Sequence, residues 1–258
     1  MLFNIGDLVT RKSHNNDVIF EIIKIEDKTA YLKGKDIRLY ADSHINDLVL
    51  TPNENLDNDE ENINRMKELI SLDRSEYFYL PGKILHIDGD NEYLERCIKF
   101  YKKLNIMAYG LKIDEKDISF ELEKYLSRFK PNILVITGHD AMYHRKDKIT
   151  YKNSDNFIKA IEVARNYEDN QERLIIIAGA CQSNYEELIK AGANFASSPK
   201  RVNIHALDPA IIASSIALSD RNIPIDLLSI IDRTKYKEEG VGGIITNGTM
   251  YKGYPRWI

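Results

Sequence analysis

A chain of 258 residues, 43% hydrophobic and 29% charged, has the composition of a globular protein and room for one large domain or a medium domain with a small appendage. Its formal net charge of −4 offers no basic surface for a phosphate backbone, so nucleic acid is not an expected partner. The opening MLFNIGDLVTRK lacks the order of a secretory signal, and the longest nearly apolar run, 209–218, is too short to span a bilayer. With two cysteines, Cys97 and Cys181, there is no disulfide framework, and the expectation is a reducing, intracellular (cytoplasmic) setting, with no membrane partner.

Residues 1–52 predict a small SH3-like β-barrel. Short strands (GDLVTRK, DVIFEIIKIE, TAYLKGK, IRLYA) are separated by Asn15-Asn16-Asp17, Glu26-Asp27-Lys28 and Lys33-Gly34-Lys35, the small polar clusters that tight turns need. Residues 53–75 read as an acidic linker closed by a short helix, RMKELISLDRS, because a segment so poor in large apolar side chains buries too little surface to fold alone.

From 76 to 258 strands and helices alternate. GKILHIDGD, IMAYGLKI, NILVIT and LIIIA are strand-like. NEYLERCIKFYKKL, SFELEKYLSRF, SDNFIKAIEVARNY and NYEELIKAGA are helix-like, the last ended by Gly192. Strands this apolar are buried on both faces, which predicts α/β architecture with a largely parallel sheet flanked by helices. Cys97 lies on the apolar stripe of its helix and is expected to pack in the core. Beyond 193 the pattern predicts a further strand, an apolar helix from Ala210 to Ser219 and a glycine-rich end.

Cys181 lies three residues past LIIIA, at the edge of the sheet where open α/β folds keep their sites. Ser183 and Glu186 have capping-box spacing, which would set the thiol beside a helix N-terminus and favour its thiolate. His139 lies two residues past NILVIT at the same edge, and consecutive βαβ units bring such loop tips side by side. A lone His there is commonly a surface residue, and a lone Cys is as often structural as nucleophilic. Their conjunction, with Gly138, Gly179 and Ala180 alongside, predicts a His139–Cys181 dyad. Backbone N–H groups of Gly138, Asp140 and Cys181 would serve a developing oxyanion. His205 ranks behind His139 as the partner histidine. No metal ligand set or phosphate loop is evident, so neither metal nor cofactor is expected.

A His after one strand and G-A-C after the next resemble the caspase and clostripain type of cysteine peptidase. Over nearly its whole length the chain also resembles the YabG family of sporulation-specific cysteine proteases, through FNIGDLVTRKS, LHIDGD, VITGHDA, IIAGACQSNYEELI and GANFASSPKRVNIHALDPA. That resemblance implies a caspase-like domain and an endopeptidase acting in the mother cell on spore coat and cortex-associated proteins, cutting after arginine, with Cys181 as nucleophile and His139 as its partner. The chain departs from the wider group in two places. Asp140 stands where caspase-type enzymes have Gly after the His, and Gly179 stands where clostripain-like members place an acidic residue.

An arginine pocket needs a carboxylate to pair with guanidinium, and Asp88 and Asp208 are the nominees, with Asp90 beside the first. Basic residues in the loop 143–154 (Arg145, Lys146, Lys148) and Lys200-Arg201 are candidate self-processing sites. Two other readings stand beside the peptidase: a thiol amidotransferase of flavodoxin-like form, and a non-enzymatic spore assembly factor whose barrel does the binding.

Overall fold

The computed structural model describes residues 3–51, 59–69, 75–145 and 148–256. The chain divides into two units, Met1–Asn58 and Asp59–Ile258.

The first unit is an antiparallel sheet of β1 (Leu8–Arg11), β2 (Phe20–Glu26), β3 (Thr29–Gly34), β4 (Tyr40–His44) and β5 (Leu48–Leu50), in the order β4-β3-β2-β1-β5. Alternate residues face inward, as a two-residue side-chain period requires: Phe20 and Ile22 of β2 and Ala30 and Leu32 of β3 are all fully buried. The β2–β3 turn is where Asp27 adopts a left-handed φ of 52°, a conformation that Asp tolerates.

The second unit opens with α1 (Asp59–Leu69), then β6 (Phe78–Leu80), β7 (Ile84–Asp88), α2 (Asn91–Lys103), β8 (Ala108–Lys112), α3 (Ile118–Phe129) and β9 (Ile133–Thr137). A hairpin follows, β10 (Met142–Arg145) and β11 (Lys148–Tyr151), then α4 (Ser154–Tyr167), β12 (Ile175–Ala178), α5 (Tyr185–Lys190) and β13 (Phe195–Ser197). The chain continues through α6 (Asp208–Ala217), α7 (Leu227–Ile231), α8 (Lys237–Gly240), β14 (Val241–Gly243) and β15 (Tyr251–Gly253), the last paired with β6.

The main sheet has the order β14-β13-β12-β9-β7-β8, and every pair in it is parallel except β13–β14. Its three central strands, β7, β9 and β12, are buried at every position. One face (Ile84, Ile133, Val135, Ile175, Ile177) packs with α1, α2 and α6. The other (Leu85, Ile87, Leu134, Ile136, Ile176, Ala178) packs with α3, α4 and α5. Two covered faces are why these strands read as continuous apolar runs rather than alternating ones. Helix α6 has no polar face to turn outward and is buried along its whole length. Among the described residues no helix is long and apolar enough to cross a membrane.

Four expectations change. The helix in the acidic stretch begins at Asp59 rather than at Arg65, because it docks: Ile63 and Met66 are buried in the core, and Arg96 of α2 grips both oxygens of Asp59 at 2.6 Å. The basic loop 143–154 is a hairpin, with Tyr143 paired to Thr150 and His144 to Ile149. Lys146 lies outside the described residues. Asp208 does not follow a strand but opens α6, with Pro209 in the first turn. Ser183 is not a helix cap: α5 starts at Tyr185, Asn184 holds the cap position without a side-chain bond, and Ser183 is drawn elsewhere.

Candidate active site

Strands β9 and β12 are immediate parallel neighbours, with Ala178 opposite Ile136. Cys181 and His139 stand equally far beyond that pair, and Gly179 N–H still donates to Ile136 O at 3.1 Å, so the register persists into the loops. On the other side of β9, Asp88 of β7 lies opposite Thr137. Asp90 and His139 stand equally far beyond this second pair. Three adjacent strands therefore deliver Asp90, His139 and Cys181 to corresponding positions at the C-terminal edge of the sheet.

His139 is held at four points. Its Nε2 lies 3.2 Å from Asp90 Oδ2. Its backbone N–H donates to Glu115 Oε1 (2.8 Å), and its carbonyl accepts from Asn153 Nδ2 (2.7 Å). Its ring meets that of Tyr93 at 5.7 Å between centroids, tilted by 57°. Glu115 reaches this position by lying across Gly89 and Gly138, where a Cβ on either residue would collide with its carboxylate.

Asp90 is in turn fixed from two directions. Its Oδ1 caps α2 by accepting from Glu92 N–H (2.9 Å) and Tyr93 N–H (3.3 Å). Its own N–H donates to Asp88 Oδ1 (2.9 Å). Asp88 belongs to a buried chain of groups: Thr137 Oγ1 donates to Asp88 Oδ2 (2.7 Å), His86 Nε2 lies 2.9 Å from Thr137 Oγ1, and Tyr101 OH lies 2.9 Å from His86 Nδ1. The threonine proton is committed to the carboxylate, so His86 donates from Nε2 to the threonine oxygen.

Cys181 forms no disulfide and has no exposed surface. Its Sγ accepts from Ile204 N–H at 3.3 Å and sits 3.9 Å from Ile204 O. Gly179, two residues before it, has φ +107°, and a Cβ there would press on Leu188 and Ser197. That conformation and packing favour glycine over any residue with a side chain at this position. Cys97 packs in the core under α2, its Sγ 3.4 Å from Ala206 O.

The amides on either side of Cys181 are engaged. Ala180 N–H donates to Ser183 Oγ (2.9 Å), while Gln182 N–H is shared between Ser198 Oγ (2.9 Å) and Val202 O (3.1 Å). The two nominated pocket carboxylates lie inside the fold. Asp88 is fully buried with the partners given above. Asp208, equally buried, accepts from His205 N–H (3.0 Å) and Lys235 N–H (3.0 Å). His205 is tied to its own turn, Nδ1 accepting from Leu207 N–H at 3.2 Å. Arg201 stacks on Tyr151, donates to Ser198 O and Pro199 O, and pairs with Glu186.

A family model described as YabG peptidase U57 matches residues 4–255. The chain belongs to this peptidase family. It is 40% identical to the sporulation-specific protease YabG of Bacillus subtilis (strain 168), over 99% of both chains. No solved structure matches it.

In this member of the YabG peptidases, local sequence points to His139 and Cys181 but not to Asp90, Glu115 and Asn153 as supports of His139. For Asp90 a signal was present. It stands as far past the strand ILHID as His139 does past ILVIT, once the two are aligned in register. Glu115 had none, since its part depends on crossing two glycines from a neighbouring strand.

Proposed function

We propose that the chain is a sporulation cysteine endopeptidase in which Cys181 is the nucleophile, His139 its proton partner and Asp90 the carboxylate that orients the imidazole. The observation that carries this reading is the row of three side chains at one sheet edge, with Asp90 Oδ2 already 3.2 Å from His139 Nε2. A carboxylate on Nε2 holds the proton there and leaves Nδ1 to exchange a proton with the thiol. The thiolate attacks the scissile carbonyl, and the C–N bond breaks as Nδ1–H protonates the leaving amine. The acyl-enzyme is then hydrolysed by a water that gives its proton to the same nitrogen. In this reading the N–H groups of Gly138, Asp140 and Cys181 serve the oxyanion. With the thiol under Ile204, the segment carrying that residue moves aside before a substrate carbonyl can approach.

Cleavage after arginine, spore coat and cortex-associated proteins as substrates, and action in the mother cell are parts of the proposal that rest on the resemblance. The sporulation-specific name of the Bacillus relative supports the setting. A guanidinium needs a carboxylate oxygen within reach, and Asp88 and Asp208 would have to exchange present partners to supply one. Glu115, half-buried beside His139, offers Oε2 without that exchange.

The test is a mixed peptide library incubated with the wild-type chain and with Cys181→Ala and His139→Ala. The expected result is cuts clustered after arginine that vanish in both variants. Cuts that persist in Cys181→Ala, or release of ammonia from glutamine in place of peptide cleavage, overturn the reading.

A further inference from the structure

Asp140 follows His139 directly, is buried, and has no part in the chemistry above beyond its backbone. Its side chain nevertheless accepts four hydrogen bonds, from Ala141 N–H (2.9 Å) and Asn153 N–H (2.7 Å) at Oδ1 and from Ser154 Oγ (2.5 Å) and Ser183 Oγ (3.0 Å) at Oδ2. A hydroxyl has one proton, so a serine that donates to this carboxylate can only accept from elsewhere. Both do. Ser183 Oγ accepts Ala180 N–H at 2.9 Å, and Ser154 Oγ accepts Asn184 N–H at 2.9 Å. Those two amides bracket the turn that carries Cys181. One carboxylate oxygen therefore reaches the turn on both sides of the thiol, each time through a buried serine.

The other oxygen ties the same group to the His139 loop. Asn153, whose N–H meets Oδ1, also donates its side-chain amide to His139 O at 2.7 Å. Within the turn, Gln182 has a left-handed φ of 57°, a conformation a non-glycine residue holds only when its surroundings impose it. Burying an ionised carboxylate is costly unless its acceptor positions are filled, and here Ala141 of the His139 loop, Ser183 of the Cys181 turn, and Asn153 and Ser154 at the start of α4 fill them.

We infer that Asp140, resting on the peptidase reading above, is a positioning residue whose carboxylate holds the Cys181 turn and the His139 loop in one reactive geometry through Ser183, Ser154 and Asn153. Its carboxylate is hydrogen-bonded to Ala141, Asn153, Ser154 and Ser183. Its effect passes through the turn and is read in turnover rather than in substrate affinity.

The experiment compares wild type with Asp140→Asn, Ser183→Ala and Ser154→Ala, and with each serine variant combined with Asp140→Asn. An internally quenched peptide containing one arginine is the probe, assayed well below the melting temperature of every variant. Asp140→Asn is expected to lower kcat by about tenfold to a hundredfold with KM within about twofold, and each serine variant by less. The double variants should lose little more than Asp140→Asn alone, because the hydroxyls act through that carboxylate. Ser154→Thr, which keeps the hydroxyl, should restore most of the Ser154→Ala loss. The rate of iodoacetamide alkylation at Cys181 as a function of pH should change in parallel. Additive losses, or unchanged kcat and alkylation in Asp140→Asn while Cys181→Ala is inactive, overturn the inference and leave the peptidase reading standing. Activity retained by Cys181→Ala would instead sink that reading. If Asp140→Asn does not fold, the serine pair alone decides: a single-variant kcat equal to wild type for both overturns the inference.

Discussion

Asp90 Oδ2 and His139 Nε2 lie 3.2 Å apart although 49 positions separate the residues, because β7 and β9 are parallel neighbours and both side chains stand at the same height above the last paired residues. Asp90 serves two masters: one oxygen caps α2 and the other faces the histidine. Asn is as good a cap as Asp but carries no charge. Asp90→Asn should therefore keep the fold and lower kcat about a hundredfold or more, with KM little changed; a melting curve and steady-state kinetics on the same preparation check both halves.

Thr137 is the shared member of the buried chain from Tyr101 to Asp88. Thr137→Val keeps the shape but removes the hydroxyl that His86 donates to and Asp88 accepts from. The expected loss is about 1–3 kcal/mol of stability, the cost of leaving buried polar groups unmatched. Urea unfolding measures it, and an unchanged midpoint would show that the chain of bonds contributes nothing.

At Gly179 a left-handed φ and close contact with Leu188 and Ser197 act together. Gly179→Ala should cost about 1–3 kcal/mol and, since the residue leads directly into Cys181, depress turnover as well. A variant as stable and as active as wild type contradicts the packing described.

Burial pushes the Asp140 carboxyl above its ordinary value of 3.8, against four hydrogen bonds that pull it down. The folded chain then holds a proton at this group that the unfolded chain has already released. Its contribution to stability is therefore greatest at low pH and declines as pH rises from about 3.8 through the raised folded value. Asp140→Asn removes the titration. The stability difference between wild type and variant, measured by denaturant unfolding from pH 4 to pH 7, should shift against the wild type as pH rises; a difference independent of pH would show that the carboxyl titrates normally.

Under the proposed function, self-processing has two kinds of candidate site. Lys148 lies on the β10–β11 hairpin, and Lys200-Arg201 lies in the segment leading to Ile204, which covers the thiol. Purified wild type is expected to be cut after Arg201 or in the hairpin over hours, and Cys181→Ala to stay whole. Mass spectrometry of both locates the cut. Identical fragments in the two would assign the cleavage to another protease.

Local pattern carried the reading a long way. The apolar runs ILVIT and IIIA announced strands buried on both faces, and a helix between them implied neighbours, which is enough to bring His139 and Cys181 to one edge. The same locality misled at Ser183, whose spacing from Glu186 suits a capping box, while its hydroxyl serves Ala180 and Asp140 instead. In the acidic stretch, where composition suggests a linker closed by a short helix, Arg96 and the core give Asp59–Leu69 a place to dock, while 53–58 and 70–74 lie outside the described residues.

Which strands and helices form, and which loop tips hold a histidine and a cysteine, follow from the order of the residues, since strand and helix periods are local properties of the chain. Register and burial are not local. Only packing set Asp90 beside His139, closed Asp88 and Asp208 off from solvent, laid Glu115 across two glycines and placed Ile204 over the thiol. Each of these depends on which surfaces exclude water from which, and that is decided when the whole sheet and its helices come together.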